Sequence, residues 1–170
     1  MRNILYASDL EQGSRVVLRA ALEQAAMSNG KIFFLHVSDQ FHRGNDDSFV
    51  GFKLKKAHDA HLESLKEELR TYMKQRIHNF VAEELNDAEF NEDSIEVVVR
   101  FGDPAKKIVD TVKDVEASMV VMGDRRVNAL SRMFLGSTAQ KVIHNITVPV
   151  LIVPISNTVA SSKAGDKNGI

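Results

Sequence analysis

The sequence has no cysteine and no tryptophan, and only 3 prolines and 9 glycines among 170 residues. Without cysteine there is no disulfide, no thiolate metal site and no cysteine nucleophile, which suits a reducing compartment. An excess of either charge is lacking too. The 22 Lys and Arg balance 23 Asp and Glu, leaving a formal net charge of -1. No strong overall field is available to recruit DNA or an acidic membrane surface. The basic residues are not interleaved with aromatics, which argues against single-stranded nucleic acid. No stretch approaches the ~20 apolar residues of a membrane span. The opening run Ile4-Leu5-Tyr6-Ala7 is too short for a secretory leader and is closed by Ser8-Asp9. The expectation is a soluble cytoplasmic protein that engages neither nucleic acid nor membrane.

What is present is apolar material in short blocks. Hydrophobic residues make up 44% of the chain, enough for the core of one domain. Ile4 to Ala7 reads as a first strand. From Ser14, a plausible N-cap, Val16, Val17, Ala20, Ala21, Leu22 and Ala25 recur at helical spacing, and Asn29-Gly30 ends that helix. Lys31 to Val37 is a second strand, apolar on both faces as in a sheet covered on both sides. A loop from Asp39 to Val50 leads into a long helix from about Phe52 to Leu85. Its apolar stripe is Leu62, Leu65, Leu69, Tyr72, Met73, Ile77, Phe80 and Val81, and its length allows for a break. After a loop from Asn86 to Asp93, Ile95 to Val99 is a third strand. Asp103 then caps a helix whose first turn begins at Pro104 and whose buried face is Ile108, Val109 and Val112. Ser118 to Met122 is a fourth strand, closed by Gly123. Gly136-Ser137-Thr138 opens a helix carrying Ala139, Val142 and Ile143, and Val148 to Val153 is a fifth strand. Strands alternating with helices imply a single-domain α/β fold, a five-stranded parallel doubly wound sheet with helices on both faces. The domain spans 1–155. The tail 156–170, rich in Ser, Gly, Lys and Asn, is expected to be disordered.

Ligands of such sheets bind outside the carboxyl ends of the strands, near the switch in strand order. This directs attention to Ser8 and Asp9, to Val37 and Ser38, and to Gly123. The connection from Gly123 to Thr138 carries the most chemistry. Gly136 permits close backbone approach, and Ser137 and Thr138 supply hydroxyls and amides at a helix N-terminus, which suits phosphate. Arg125, Arg126 and Arg132 are available for charge-assisted contacts. On this local pattern alone an ordinary helix start is the commoner explanation, with Gly123 as a turn glycine and Ser137 as a cap. Asp9 is equally well read as a turn residue capping a helix start.

Four features together carry a resemblance: Ile4-Leu5-Tyr6-Ala7-Ser8-Asp9, Leu35-His36-Val37, Gly102-Asp103-Pro104 before a helix, and the Gly123 to Ser137 loop leading to Val148-Pro149-Val150-Leu151-Ile152-Val153. The chain up to about Pro154 resembles the universal stress protein family. Its ATP-binding branch has the pattern G-x-x-G, nine residues, then G-[S/T]. Gly123, Gly136 and Ser137 fall in register, and Arg126 stands at the second glycine.

The resemblance implies an adenine-nucleotide-hydrolase-like (Rossmann-like) sheet that holds ATP, with or without Mg, as a regulatory ligand in stress response. AMP and cyclic AMP are the competing ligands. It places Asp9 beside ribose or adenine, Val37 at the adenine edge, and Gly123, Gly136, Ser137 and Thr138 at the phosphates, and it counts Ala7, Ser8, Met122, Arg125 and Arg126 among the nucleotide-binding residues. It also implies a homodimer through the fifth strand. Arg126 either swings onto phosphate or fills the pocket. The second case leaves a nucleotide-free interaction module, and a weak ATP hydrolase is a third reading. No catalytic or metal residue stands out. His36 reads as a satisfied crevice histidine, and His58 and His61 as part of a charged, solvated helix face.

Overall fold

The computed structural model describes residues 2–38, 49–84, 92–125 and 135–155. The expected loops after the second strand and the long helix, and the tail 156–170, lie largely or wholly outside them. In chain order the elements are β1 (Asn3–Ser8), α1 (Arg15–Ser28), β2 (Ile32–Ser38), α2 (Phe49–Glu84), β3 (Ile95–Phe101), α3 (Pro104–Asp114), β4 (Ala117–Arg125), α4 (Ser137–Asn145) and β5 (Val150–Ile155). A single 3-10 turn, Glu92–Ser94, precedes β3. All five strands are parallel, in the order β3-β2-β1-β4-β5.

Alternation along the strands sends side chains to two cores. Ile4 and Tyr6 join Val17, Ala21, Phe34, Met73, Ile77 and Phe80 under α1 and α2. Leu5, Phe33 and Leu35 join Ile108, Val112, Val120, Met122 and Val142 under α3 and α4. Both faces are covered, which is why β1, β2 and β4 read as nearly continuous apolar runs.

Helix ends follow local chemistry. Asp103 accepts the Lys106 amide at 2.9 Å, and Pro104 occupies the first turn. Gly102, at φ 133, supplies the bend between β3 and α3 that a side chain would strain. Asn29 closes α1 in the left-handed region at φ 47, and the Gly30 amide reaches back to the Ala25 carbonyl at 2.9 Å.

Three expectations change. The stripe on α2 is buried only toward its C-terminal half, where Met73, Ile77, Phe80 and Val81 are buried, while Tyr72 is 51% exposed. The reason is length: 36 unbroken residues make a helix about 54 Å long, well beyond the width a strand of six residues presents. β4 does not stop at Met122 but runs on through Gly123, Asp124 and Arg125, because β5 pairs with it to Ile155. β5 begins at Val150, not Val148; the Pro149 carbonyl accepts the Val120 amide at 2.9 Å.

Candidate functional site

β1 lies between β2 and β4, so the chain crosses to opposite sides of the sheet from this strand. Such a reversal leaves a crevice at the carboxyl ends. A cavity of about 250 Å³ occupies it. β1 and the residue after it supply Tyr6, Ala7, Ser8 and Asp9. β2 supplies Leu35 and Val37, and β4 supplies Met122 and Gly123. Ser14 and Val17 close it from α1, Pro104 and Ile108 from α3, Thr138 from α4 and Ile155 from β5. The walls are mainly apolar, with three hydroxyls from serine and threonine and one carboxylate.

The loop from β1 to α1 forms one rim, and side chains distant in sequence pin it. Ser8 Oγ accepts the Leu10 amide at 3.1 Å, and Asp9 Oδ1 accepts the Glu11 amide at 3.0 Å. Arg76 of α2 donates to the carbonyls of Leu10 and Glu11 and to Ser14 Oγ. Ser14 is thus the N-cap residue of α1, but its hydroxyl serves Arg76 and makes no cap hydrogen bond. Leu10 sits at φ 62 and Gly13 at φ 82. For Leu10 this costs about 1–2 kcal/mol, and Arg76 grips the carbonyl of that residue. The Arg76 guanidinium also lies over the Tyr72 ring, 5.7 Å from its centre.

Arg125, the last residue of β4, holds the same rim from the other side. Its Nε donates to Asp9 Oδ2 at 2.6 Å and its Nη2 to Asp9 Oδ1 at 2.9 Å, a bidentate pair. Its Nη1 donates to the Gln12 carbonyl, and Glu11 lies 3.5 Å from Nε. Burial pushes the Asp9 carboxyl up, but the Arg125 hydrogen bond and charge, with the Glu11 amide, outweigh it and hold it below its ordinary 3.8. Burial raises the Tyr6 phenol, partly countered by its hydroxyl neighbours Ser8 and Ser14. His36 Nδ1 lies 2.9 Å from the Ser8 carbonyl. A carbonyl only accepts, so that nitrogen carries the proton, and the histidine is satisfied as expected.

Of the residues expected at the site, Ala7, Ser8, Asp9, Val37, Met122, Gly123 and Thr138 line one cavity. Arg125 stands at its rim on Asp9. Gly136 and Ser137 are exposed at the start of α4 and do not line it. Gly136 is the N-cap of α4 at φ -56, a backbone any residue adopts, and among the described residues no atom would meet a Cβ there within 4 Å. Gly123 is neither a turn glycine nor a loop residue. A Cβ on it would meet Ile155 Cδ1 at 2.6 Å and Val17 Cγ2 at 3.1 Å, so packing within the strand needs the glycine. Arg126 and Arg132 lie outside the described residues. Tyr6 and Ile108 were legible only as core residues, Ile155 lies beyond the expected fifth strand, and nothing in the sequence ties Arg76 to a loop 66 residues away.

The universal stress protein family model matches residues 1–154. The chain belongs to the universal stress protein family. Among its relatives, universal stress protein Sll1388 of Synechocystis sp. is 42% identical over 55 residues, 32% of this chain and 36% of that protein. YxiE of Bacillus subtilis is 40% identical over 58 residues, 34% of this chain and 39% of its own. These matches span little more than a third of either relative's length. Universal stress protein A of Photorhabdus laumondii matches at 25% over 154 residues, 91% of this chain and 95% of that one. Among solved structures, MJ0577 superposes with a TM-score of 0.61 at 24% identity, covering 92% of this chain and 98% of the other. A universal stress protein in complex with cAMP gives 0.53 at 19%, covering 91% and 98%. One from Archaeoglobus fulgidus in complex with dAMP gives 0.52 at 23%, covering 89% and 97%. At these identities the structures establish the fold of this family member. Among the described residues, no helix is long and apolar enough to cross a membrane, and no group of three or more His, Asp or Glu could hold a metal ion.

Proposed function

We propose that this universal stress protein binds an adenine nucleotide, ATP, as a regulatory ligand in the crevice at the carboxyl ends of β1 and β4. The observation that carries this reading is the cavity itself. Seven residues expected on other grounds to touch nucleotide line one space of about 250 Å³. Its walls fit the group. Leu35, Val37, Ile108 and Met122 offer apolar surface for a flat base, and Ser8 and Thr138 offer hydroxyls. The N-terminus of α4, with its free amides and partial positive charge, begins beside the cavity at Ser137, one residue before Thr138. Magnesium would be held through the phosphates of the ligand. The relatives solved with cAMP and dAMP support an adenine ligand and make AMP and cyclic AMP the competitors to compare.

Binding rather than turnover is the better reading. Asp9 is the one carboxylate among the described residues that lines the cavity, and among them no histidine, lysine or second carboxylate lines it to complete an acid–base pair. Phosphate release should be slow. A homodimer is part of this reading, supported by the sheet: β5 is an edge strand, and its Val150 to Val153 are only half-buried in the single chain. An apolar edge calls for cover, and pairing with β5 of a second copy supplies it. A monomer by sedimentation at micromolar concentration would contradict the dimer.

Thermal unfolding with millimolar ATP and magnesium tests the nucleotide. At about 100 times the dissociation constant the ligand stabilises by about 2.7 kcal/mol, several degrees in Tm for a chain of this size. An unchanged Tm would remove the reading in favour of a nucleotide-free interaction module. Calorimetry on Arg126→Gly then reports on that residue: affinity unchanged or weaker if it clamps phosphate, binding restored if it blocks.

A further inference from the structure

Asp9 lines the cavity, yet both of its oxygens are taken. Arg125 Nε and Nη2 hold them at 2.6 and 2.9 Å, and Nη1 is anchored on the Gln12 carbonyl. A ligand entering the crevice therefore meets a closed ion pair and not a bare carboxylate. We propose that Arg125 makes the crevice select phosphate-bearing nucleotides over nucleosides, by occupying Asp9 until an anion draws its guanidinium away. This rests on the nucleotide reading and names what that site chooses.

The argument is one of exchange. The Asp9 side chain is 48% exposed and that of Arg125 21%. Most of the Arg125 side chain is covered, and on this rim its guanidinium is held by Asp9, Glu11 and the Gln12 carbonyl, so displacing it from Asp9 costs a bidentate pair. A nucleoside offers only neutral hydroxyls and amines. To bond Asp9 it must share the carboxylate with a bidentate cation, and it gives that cation no anion in return. A nucleotide brings an anion of the same fork geometry that a guanidinium grips, so Arg125 trades carboxylate for phosphate and Asp9 becomes free to accept from the ligand. Arg125 ends β4 on the wall that also carries Met122 and Gly123, so the reach from either partner starts from a fixed strand.

The test is calorimetric titration of ATP and of adenosine into wild type, Arg125→Met and Arg125→Lys, with thermal melts to establish that each variant folds. Wild type should prefer ATP over adenosine. Arg125→Met should shrink that preference at least about tenfold, by tightening adenosine and weakening ATP. Arg125→Lys, which keeps the charge and loses the fork, should fall between. Should Arg125→Met fail to fold, the Arg125 side-chain Nε–H resonance of wild type decides: it should move with ATP and stay with adenosine. A preference unchanged in the variants, or a resonance that responds alike to both ligands, overturns the proposal while leaving nucleotide binding intact. Absence of binding by either ligand to any of the proteins overturns the nucleotide reading and this inference with it.

Discussion

The two ends of the crevice are built in different ways. At the β1 end, a short loop is held by Arg76 from α2 and Arg125 from β4, with Leu10 forced into the left-handed region. At the α4 end, Gly136 and Ser137 stand exposed, with no side-chain cap and open space around Gly136. One end is assembled by long-range contacts and the other is an unencumbered helix start. Such an end can offer amides to an anion without first breaking anything. The β1 end must exchange partners before it can do the same.

That contrast can be broken by mutation. The largest effect is expected from Arg76→Ala, which removes three hydrogen bonds to the β1–α1 loop and releases Leu10. A loss of about 2 kcal/mol in urea unfolding is expected, together with weaker ATP binding. An unfolding midpoint equal to wild type would show that the loop holds itself. Next comes Gly123→Ala. Its Cβ would press on Ile155 Cδ1 and Val17 Cγ2. Because the first is the tip of a flexible side chain, a cost near the low end of overpacking, about 1 kcal/mol, is expected. The α4 end should behave oppositely. Gly136→Ala meets no atom of the described residues, and its stability should stay within about 0.5 kcal/mol of wild type. Its ATP affinity should nonetheless fall if the ligand approaches that backbone, so a stable variant with unchanged affinity would place the phosphates elsewhere.

The smallest effect is electrostatic. Asp9 is held below its ordinary 3.8, so the unfolded chain takes up its proton first as pH falls. The contribution of the Asp9–Arg125 pair is therefore fully present above about pH 4 and fades as pH drops through the lowered value. Solvent at the half-exposed carboxyl screens it. The stability gap between wild type and Asp9→Asn should narrow from neutral pH to pH 2–3. A gap that widens on acidification would have the wrong sign for a salt-bridged carboxylate.

Much of this architecture was legible from residue order. Apolar runs such as Lys31 to Val37 needed cover on both faces, which implies helices on both sides. Asp103-Pro104 marked a helix start because capping and the proline at the first turn are local effects. Strand ends were less legible. β4 continues through Gly123, Asp124 and Arg125 only because β5 lies alongside, and no window of sequence contains both strands. Gly123, expected to close the strand, lies inside β4 for the same reason, packed against Ile155 and Val17.

The sequence by itself determined the family, the alternation of strands and helices, and half of the residues that line the crevice. Periodicity, caps and motif spacing are properties of neighbours along the chain. Only the tertiary structure decided how the crevice is charged. Asp9 and Arg125 are 116 residues apart, and Leu10 and Arg76 are 66 apart. The Asp9–Arg125 bonds exist because the parallel sheet brings the ends of β1 and β4 together, and the Leu10–Arg76 bond because α2 packs beside the β1–α1 loop. The charge of the site is set by that meeting, not by either residue alone.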